Sequence, residues 1–181
     1  LIPAEEDVIA NDRIPDDILT EMREMGLFGI TIPEEFGGAG MSISQYIETV
    51  KQISYAAPAY RSTMSINVGM TGSAIKNFGT TEQKDFWLPR IASGEIACFG
   101  LTEPGSGSDS AAMQTMAVRD GNGYKLTGTK RYITNSPSAK IGLIMARTSK
   151  EALPKNAHVS AFIVDMTSPG ISIGKSDKKM G

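Results

Sequence analysis

Two short segments carry residue types that can do chemistry together. The first is Phe99-Gly100-Leu101-Thr102-Glu103-Pro104-Gly105-Ser106-Gly107-Ser108-Asp109. Gly105 and Gly107 let the backbone turn sharply and approach a ligand closely. Thr102, Ser106 and Ser108 offer hydroxyls, and the small residues leave amide N–H groups accessible, so the loop can cradle a phosphate or a flat heterocycle. The second is Gly128-Thr129-Lys130-Arg131-Tyr132-Ile133-Thr134-Asn135. Its alternation predicts a half-buried strand over 130–135 with Tyr132 and Thr134 on one face, a ring for stacking beside a hydroxyl for hydrogen bonding. Taken singly, each segment also fits a bland role: a loop joining strands, and a strand with a buried tyrosine. The first is not a dinucleotide fingerprint, because no strand–loop–helix unit surrounds its glycines.

Other chemistries are limited by composition. The 181 residues hold 18 Lys plus Arg against 20 Asp plus Glu, a net charge of −2, which gives no basic excess for nucleic acid. A single Cys, Cys98, and a single His, His158, leave no intramolecular disulfide and no His/Cys metal site. Cys98 between Ala97 and Phe99 reads as an inert buried thiol, and His158 as a partly exposed residue opening a strand. Met22, Met25, Met64 and Met70 read as helix packing, and Lys175, Lys178 and Lys179 as a solvated turn. No apolar run reaches the ~18 residues of a membrane span, and no secretory signal leads the chain. Both ends, Leu1 and Lys178-Lys179-Met180-Gly181, read as cut.

The elements that must position the two segments divide near Ala97. Before it the apolar period is helical. Pro15 suits a first helical position, Ile18, Leu19, Met22 and Met25 follow at helical spacing, and Gly26 stops the run. A turn-rich loop spans 33–40. Ser42 with Gln45 forms a capping box ahead of a stripe of Ile43, Tyr46, Ile47, Val50, Ile53 and Ala57. A small-residue helix follows Pro58, with Gly69, Gly72 and Ser73 for close packing. Thr80 with Gln83 makes a second capping box, and Pro89 ends or kinks the helix behind it. From Ala97 the period is two. Strands are expected at 113–119, 124–127, 130–135, 141–148, 158–165 and 171–173, with a hairpin at Asp120-Gly121-Asn122-Gly123 and a polar loop at 149–156. The expected class is α+β: a helical domain over 1–96, then a mainly antiparallel, barrel-like β-domain over 97–181.

Together the two segments are far more specific than either apart. L-T-E-P-G-S-G-S-D followed by K-R-Y-I-T-N resembles the acyl-CoA dehydrogenase family. So do Ile30–Gly40, Phe78–Lys84, Leu88-Pro89, Ser168–Ile171 and Lys179-Met180-Gly181. The resemblance implies an FAD-dependent oxidoreductase that desaturates an acyl-CoA thioester at its α,β bond and passes electrons to an electron-transfer flavoprotein. It implies a homo-oligomer, dimer or tetramer, placed in the bacterial cytoplasm or the mitochondrial matrix. By position, Phe99, Leu101 and Thr102 would line the flavin, and Gly107 and Ser108 would meet the FAD pyrophosphate or the CoA part of the substrate. Tyr132, Ile133 and Thr134 match the family's W-I-T triplet, with Tyr132 stacking and Thr134 bonding near N5. Asn156 falls where some members contact CoA. Tyr132 departs from the usual Trp. The family's general base, a Glu of a C-terminal four-helix domain, is expected beyond Gly181, and Glu103 is expected to be structural. Two other possibilities stay open: a flavin oxidase or monooxygenase on the same scaffold, and a non-catalytic fragment that only binds a partner.

Overall fold

The computed structural model describes residues 1–151, 154 and 158–177. Its helical half comprises α1 (Glu5–Asn11), α2 (Asp16–Glu24), α3 (Ile43–Ile53), α4 (Pro58–Ser65), a π-helical turn (Ile66–Gly72), α5 (Ser73–Phe78) and α6 (Thr81–Ala92). Five strands follow: β1 (Ala97–Gly100), β2 (Met116–Asp120), β3 (Gly123–Thr127), β4 (Ile141–Arg147) and β5 (Val159–Asp165).

Local chemistry sets most of the helix ends. Both capping boxes form, Ser42 with Gln45 on α3 and Thr80 with Gln83 on α6, each satisfying two backbone donors reciprocally. Gly26 stops the α2 segment at φ +71°. Pro15 is the cap of α2 rather than its first residue. Helix α1, absent from the sequence expectation, is a two-turn element whose first turn carries Glu5, Glu6 and Asp7, the charge that a helix N-terminus favours. Pro89 does not end α6, which continues to Ala92. A proline inside a helix forfeits a single N–H donor, and here Leu88 and Ile91 on either side of it are fully buried. Along the α3 stripe Ile53 is buried but Ile43 and Ile47 are exposed. Met22 and Met64 are core residues, whereas Met25 and Met70 face outward.

The expected small-residue helix widens into the π turn at Ile66–Gly72. A Cβ at Gly72 would meet the Asn67 carbonyl at 2.9 Å, and one at Gly69 would meet the Tyr46 hydroxyl at 3.2 Å. The turn aims two fully buried polar side chains at the sheet. Asn67 Nδ2 donates to the Glu95 carbonyl at 2.7 Å, its Oδ1 accepts from the Ala97 amide at 2.8 Å, and the Thr71 hydroxyl donates to the Cys98 carbonyl at 3.1 Å.

The class is α+β as expected, with a helical half followed by the sheet, but the sheet is mixed rather than mainly antiparallel and does not close into a barrel. β2–β3 and β4–β5 are antiparallel, while β1 and Met116, the first residue of β2, lie parallel to β4 along its other edge. Parallel neighbours arise because β1 and β4 are joined by a long crossover rather than a hairpin. The hairpin turns at Gly121-Asn122 as expected, and Tyr124 of β3 meets Phe162 of β5 edge-on at 5.1 Å. Residues 171–173 form no strand, and 130–135 are irregular, running into a turn at 134–138. One core packs Phe28, Tyr60, Met64 and Val68. A second, of Ile32, Ile75, Leu88, Ile91, Ala97 and Ile141, joins the helical half to the sheet.

Leaving two buried backbone groups unsatisfied costs roughly 1–3 kcal/mol each. Asn67→Leu is therefore expected to lose about 2–4 kcal/mol in urea denaturation, whereas Asn77→Ala on the exposed side of α5 should stay within ~0.5 kcal/mol of wild type.

Candidate functional site

The 130–135 segment fails as a strand because its backbone enters the left-handed region twice, at Tyr132 (φ +60°) and Asn135 (φ +70°). Asparagine tolerates that region, and tyrosine seldom does. Asn135 is held on every side. Its Nδ2 donates to the Ala97 carbonyl at 3.0 Å and to the Thr63 carbonyl at 3.4 Å, its Oδ1 accepts from the Thr63 hydroxyl at 3.2 Å, and its own carbonyl accepts from the Ser138 and Ala139 amides. The same-face pairing of Tyr132 and Thr134, which strand geometry implied, therefore does not apply.

The segment instead lies alongside β1 and its exit. The Arg131 amide donates to the Thr102 carbonyl at 2.8 Å, and Asn135 reaches Ala97, so the two stretches run in opposite directions. Tyr132, Ile133 and Thr134 are thereby laid beside the stretch that contains Phe99 and Leu101. Tyr132 is 59% exposed, with the Arg131 guanidinium 4.7 Å from its ring centre. Ile133, Phe99, Leu101 and Thr102 are half-buried, and Thr134 is exposed. Among the described residues the Thr102 and Thr134 hydroxyls have no hydrogen-bond partner, which leaves both available to a ligand.

Beyond Thr102 the chain makes a tight turn in which Glu103 and Ser106 exchange backbone hydrogen bonds. The Ser106 hydroxyl donates to the Asp109 carbonyl at 2.7 Å, so of the expected hydroxyls Ser106 is spent on the loop itself. Gly107 and Ser108 are exposed, and a Cβ at Gly105 or Gly107 would touch nothing within 4 Å. These glycines leave open backbone without being sterically required. Asn156 lies outside the described residues, as do Lys178 and Lys179; Lys175 is exposed.

Between the two segments sits a buried ion pair. Lys130 Nζ donates to Glu103 Oε1 at 2.8 Å, with side-chain exposures of 10% and 5%, and also to the Leu101 carbonyl at 3.0 Å. The Glu103 carboxylate accepts further from the Gln114 amide at 2.5 Å, the Thr115 amide at 3.0 Å and the Thr115 hydroxyl. A Cβ at Gly128 would overlap the Thr115 side chain, so glycine is what lets the end of β3 close on this cluster. Burial alone would push the Glu103 carboxyl up. The Gln114 amide, the Lys130 ammonium and the Thr115 donors outweigh it and hold the carboxyl at about 2. The family resemblance implied a structural role for Glu103, but nothing in the spacing indicated Lys130 as its partner.

Two single residues complete the inventory. Cys98 is buried and its thiol is pushed up to about 11 by burial, as suits an inert core thiol. His158 is buried rather than partly exposed, because it precedes β5 beneath the Ser110–Ala112 turn, with Nε2 3.5 Å from the Ala111 carbonyl. An open groove of about 1230 Å³ lies elsewhere, between α5, β3 and β5, and Phe78, Tyr124 and Phe162 line it; none of the expected flavin-facing residues does. Among the described residues no helix is long and apolar enough to cross a membrane.

A carboxyl held below its ordinary value stabilises the fold fully above the unfolded-state value and loses that contribution as pH falls toward the folded one. Glu103 therefore predicts a loss of thermal stability between about pH 4.5 and pH 2. Glu103→Gln should be less stable at neutral pH and lose less across that window, as differential scanning calorimetry would show.

The chain is 37% identical over its whole length to the mitochondrial short-chain specific acyl-CoA dehydrogenase of Bos taurus, and covers 44% of that protein. It superposes with a TM-score of 0.92 and 38% identity on 47% of a chain in a structure described as an electron transferring flavoprotein of Acidaminococcus fermentans. On 45% of a glutaryl-CoA dehydrogenase of Mycobacterium smegmatis in complex with FADH2 the TM-score is 0.88 and the identity 31%. The alignments cover 100% and 99% of the present chain in these two cases. The chain spans about half the length of the curated relatives it matches. Residues 1–95 match the acyl-CoA dehydrogenase N-terminal domain and residues 98–181 the acyl-CoA dehydrogenase middle domain, so the chain belongs to the acyl-CoA dehydrogenase family.

Proposed function

We propose that the chain forms the flavin-facing half of an FAD-dependent acyl-CoA dehydrogenase that desaturates an acyl-CoA thioester at its α,β bond, works as a homo-oligomer, and passes its electrons to an electron-transfer flavoprotein. The observation that carries this is the antiparallel approach of Tyr132-Ile133-Thr134 to Phe99–Thr102, closed by the Arg131–Thr102 backbone bond, in a chain that matches two domains of that family from end to end. When bound, FAD supplies the hydride acceptor, and the protein orients it and tunes its electronics.

The residues present fit such a group. Phe99 and Leu101 offer apolar side chains, Tyr132 an exposed ring, and Thr102 and Thr134 hydroxyls with no hydrogen-bond partner among the described residues. Gly107 and Ser108 offer open backbone and a hydroxyl to the pyrophosphate or to CoA, and Asn156 is assigned to CoA by resemblance alone. Glu103 does not serve as the base that removes the α-proton. A carboxylate held at about 2 and bonded by four donors is a poor proton acceptor near neutral pH. Residues 1–181 by themselves are accordingly expected to give no turnover with acyl-CoA and an artificial electron acceptor.

The test is anaerobic titration of the purified, flavin-loaded full-length protein with acyl-CoA thioesters of increasing chain length. Bleaching of the flavin absorbance by one length class supports a dehydrogenase. Rapid return of colour on admitting oxygen would instead indicate an oxidase, and a protein without flavin would remove the proposal. Thr134→Val is expected to shift the flavin spectrum or its reduction potential. Unchanged potential together with unchanged turnover would remove Thr134 from the site.

A further inference from the structure

The two flavin-facing segments are far apart along the chain, Glu103 and Lys130 lying 27 positions from each other, and they share no strand pairing. Their relative position is therefore set by the few bonds that cross between them. Lys130 supplies two: one to the Leu101 carbonyl, inside the first segment, and one to Glu103, at its turn. The next residue adds the backbone bond from Arg131 to Thr102. Glu103 is itself immobilised from behind by the Gln114 and Thr115 amides at the foot of β2, so the carboxylate is a fixed anchor and the lysine the adjustable arm.

A flexible four-carbon ammonium side chain has several rotamers to choose from. Buried opposite a fixed carboxylate it has one, and its position then fixes where Arg131 and Tyr132 follow. We propose that the Glu103–Lys130 pair is the positioning device of the flavin site: it sets the distance between Leu101-Thr102 and Tyr132-Ile133-Thr134, and through that distance the affinity and reduction potential of the bound flavin. The inference rests on the flavin assignment above. Neither residue touches the flavin in this proposal, and neither is a catalytic residue.

The pair differs from an ordinary stabilising bridge in what its loss would change. Replacing one partner leaves a buried charge without its counterpart, which destabilises any protein. Replacing both with neutral groups removes that penalty, so a double variant isolates positioning from stability. Glu103→Gln keeps an acceptor for the Gln114 and Thr115 amides while removing the charge, and Lys130→Met keeps the stem without the donor. Thr115→Val serves as a stability control, since it removes one hydroxyl bond to the carboxylate and leaves the Lys130 bond to Leu101 in place.

The experiment compares flavin-loaded wild type, E103Q, K130M, E103Q/K130M and T115V by FAD dissociation constant, visible flavin spectrum and flavin reduction potential, with circular dichroism to confirm folding. Expected for E103Q/K130M is a folded protein whose FAD dissociation constant rises about tenfold, the change that 1.4 kcal/mol makes, with a displaced flavin spectrum and potential. The single variants should shift spectrum and potential in the same sense and by no more than the double, because all three break the same contact. T115V should lose stability with the spectrum and potential of wild type. A folded double variant with wild-type affinity, spectrum and potential overturns the proposal, as does a T115V shift equal to that of E103Q. Should the single variants fail to fold, the double variant and T115V decide the matter. A wild-type protein that binds no flavin defeats the underlying assignment instead, so the two failures are distinguishable.

Discussion

The arrangement depends on how β1 is held on the side that no strand covers. Among the described strands β1 pairs with β4 alone, through four residues. An exposed strand edge presents unpaired N–H and C=O groups that must find partners. Here side chains replace the missing strand. Asn67 takes the amide of Ala97 and the carbonyl of Glu95, and Asn135 takes the carbonyl of Ala97, while Thr71 adds a bond to the carbonyl of Cys98, the next residue along. Since Asn67 and Thr71 come from the helical half and Asn135 from the turn of the candidate site, one short strand fastens three parts of the molecule together. Its direction then dictates where Phe99, Leu101 and Thr102 emerge.

Unusual backbone is the cost of that fastening. Asn67 and Thr71 lie four positions apart, and the π turn that contains both leaves room for no side chain at residue 72. Departures of this kind inside helices recur at functional sites. Tyr132 and Asn135 likewise occupy the left-handed region, and strain of that sort persists only where the surroundings over-determine it. At Asn135 the surroundings are explicit, with bonds from its side chain and carbonyl to Ala97, Thr63, Ser138 and Ala139. A tyrosine is bent outward one turn earlier as a result, which is how a ring comes to stand exposed beside β1.

The sequence was most informative where local chemistry decides structure. Capping boxes at Ser42 and Thr80 and the Asp120–Gly123 hairpin each involve residues close along the chain, and all three form as expected. The switch of apolar period placed the start of the strands at Ala97. Expectations failed where distant side chains override propensity. Alternation of Tyr132, Ile133 and Thr134 is a sound strand signal, but it carries no record of Asn135 reaching Thr63 across 72 positions or of Lys130 reaching Glu103 across 27. His158 shows the same limit, since its burial comes from a turn 47 residues away. The candidate site was legible by another route: its motifs are contiguous and matched as strings, although the geometry first imagined for one of them was wrong.

The observed segment presents the triplet differently from the expected strand. A strand would have presented Tyr132 and Thr134 by alternation, whereas the turn presents them by being clamped at both ends, by Lys130 and Arg131 before and by Asn135 after. The observed arrangement lays the triplet alongside Phe99–Thr102, and it differs from a strand in stiffness. A strand held by a full ladder resists displacement along its length. A turn of three residues held by its ends moves as one piece if either clamp is altered. Under the proposed assignment, the contacts that set the shape of the site are therefore not the exposed hydroxyls and rings offered to a ligand, but the buried amide and ion pair on either side of them.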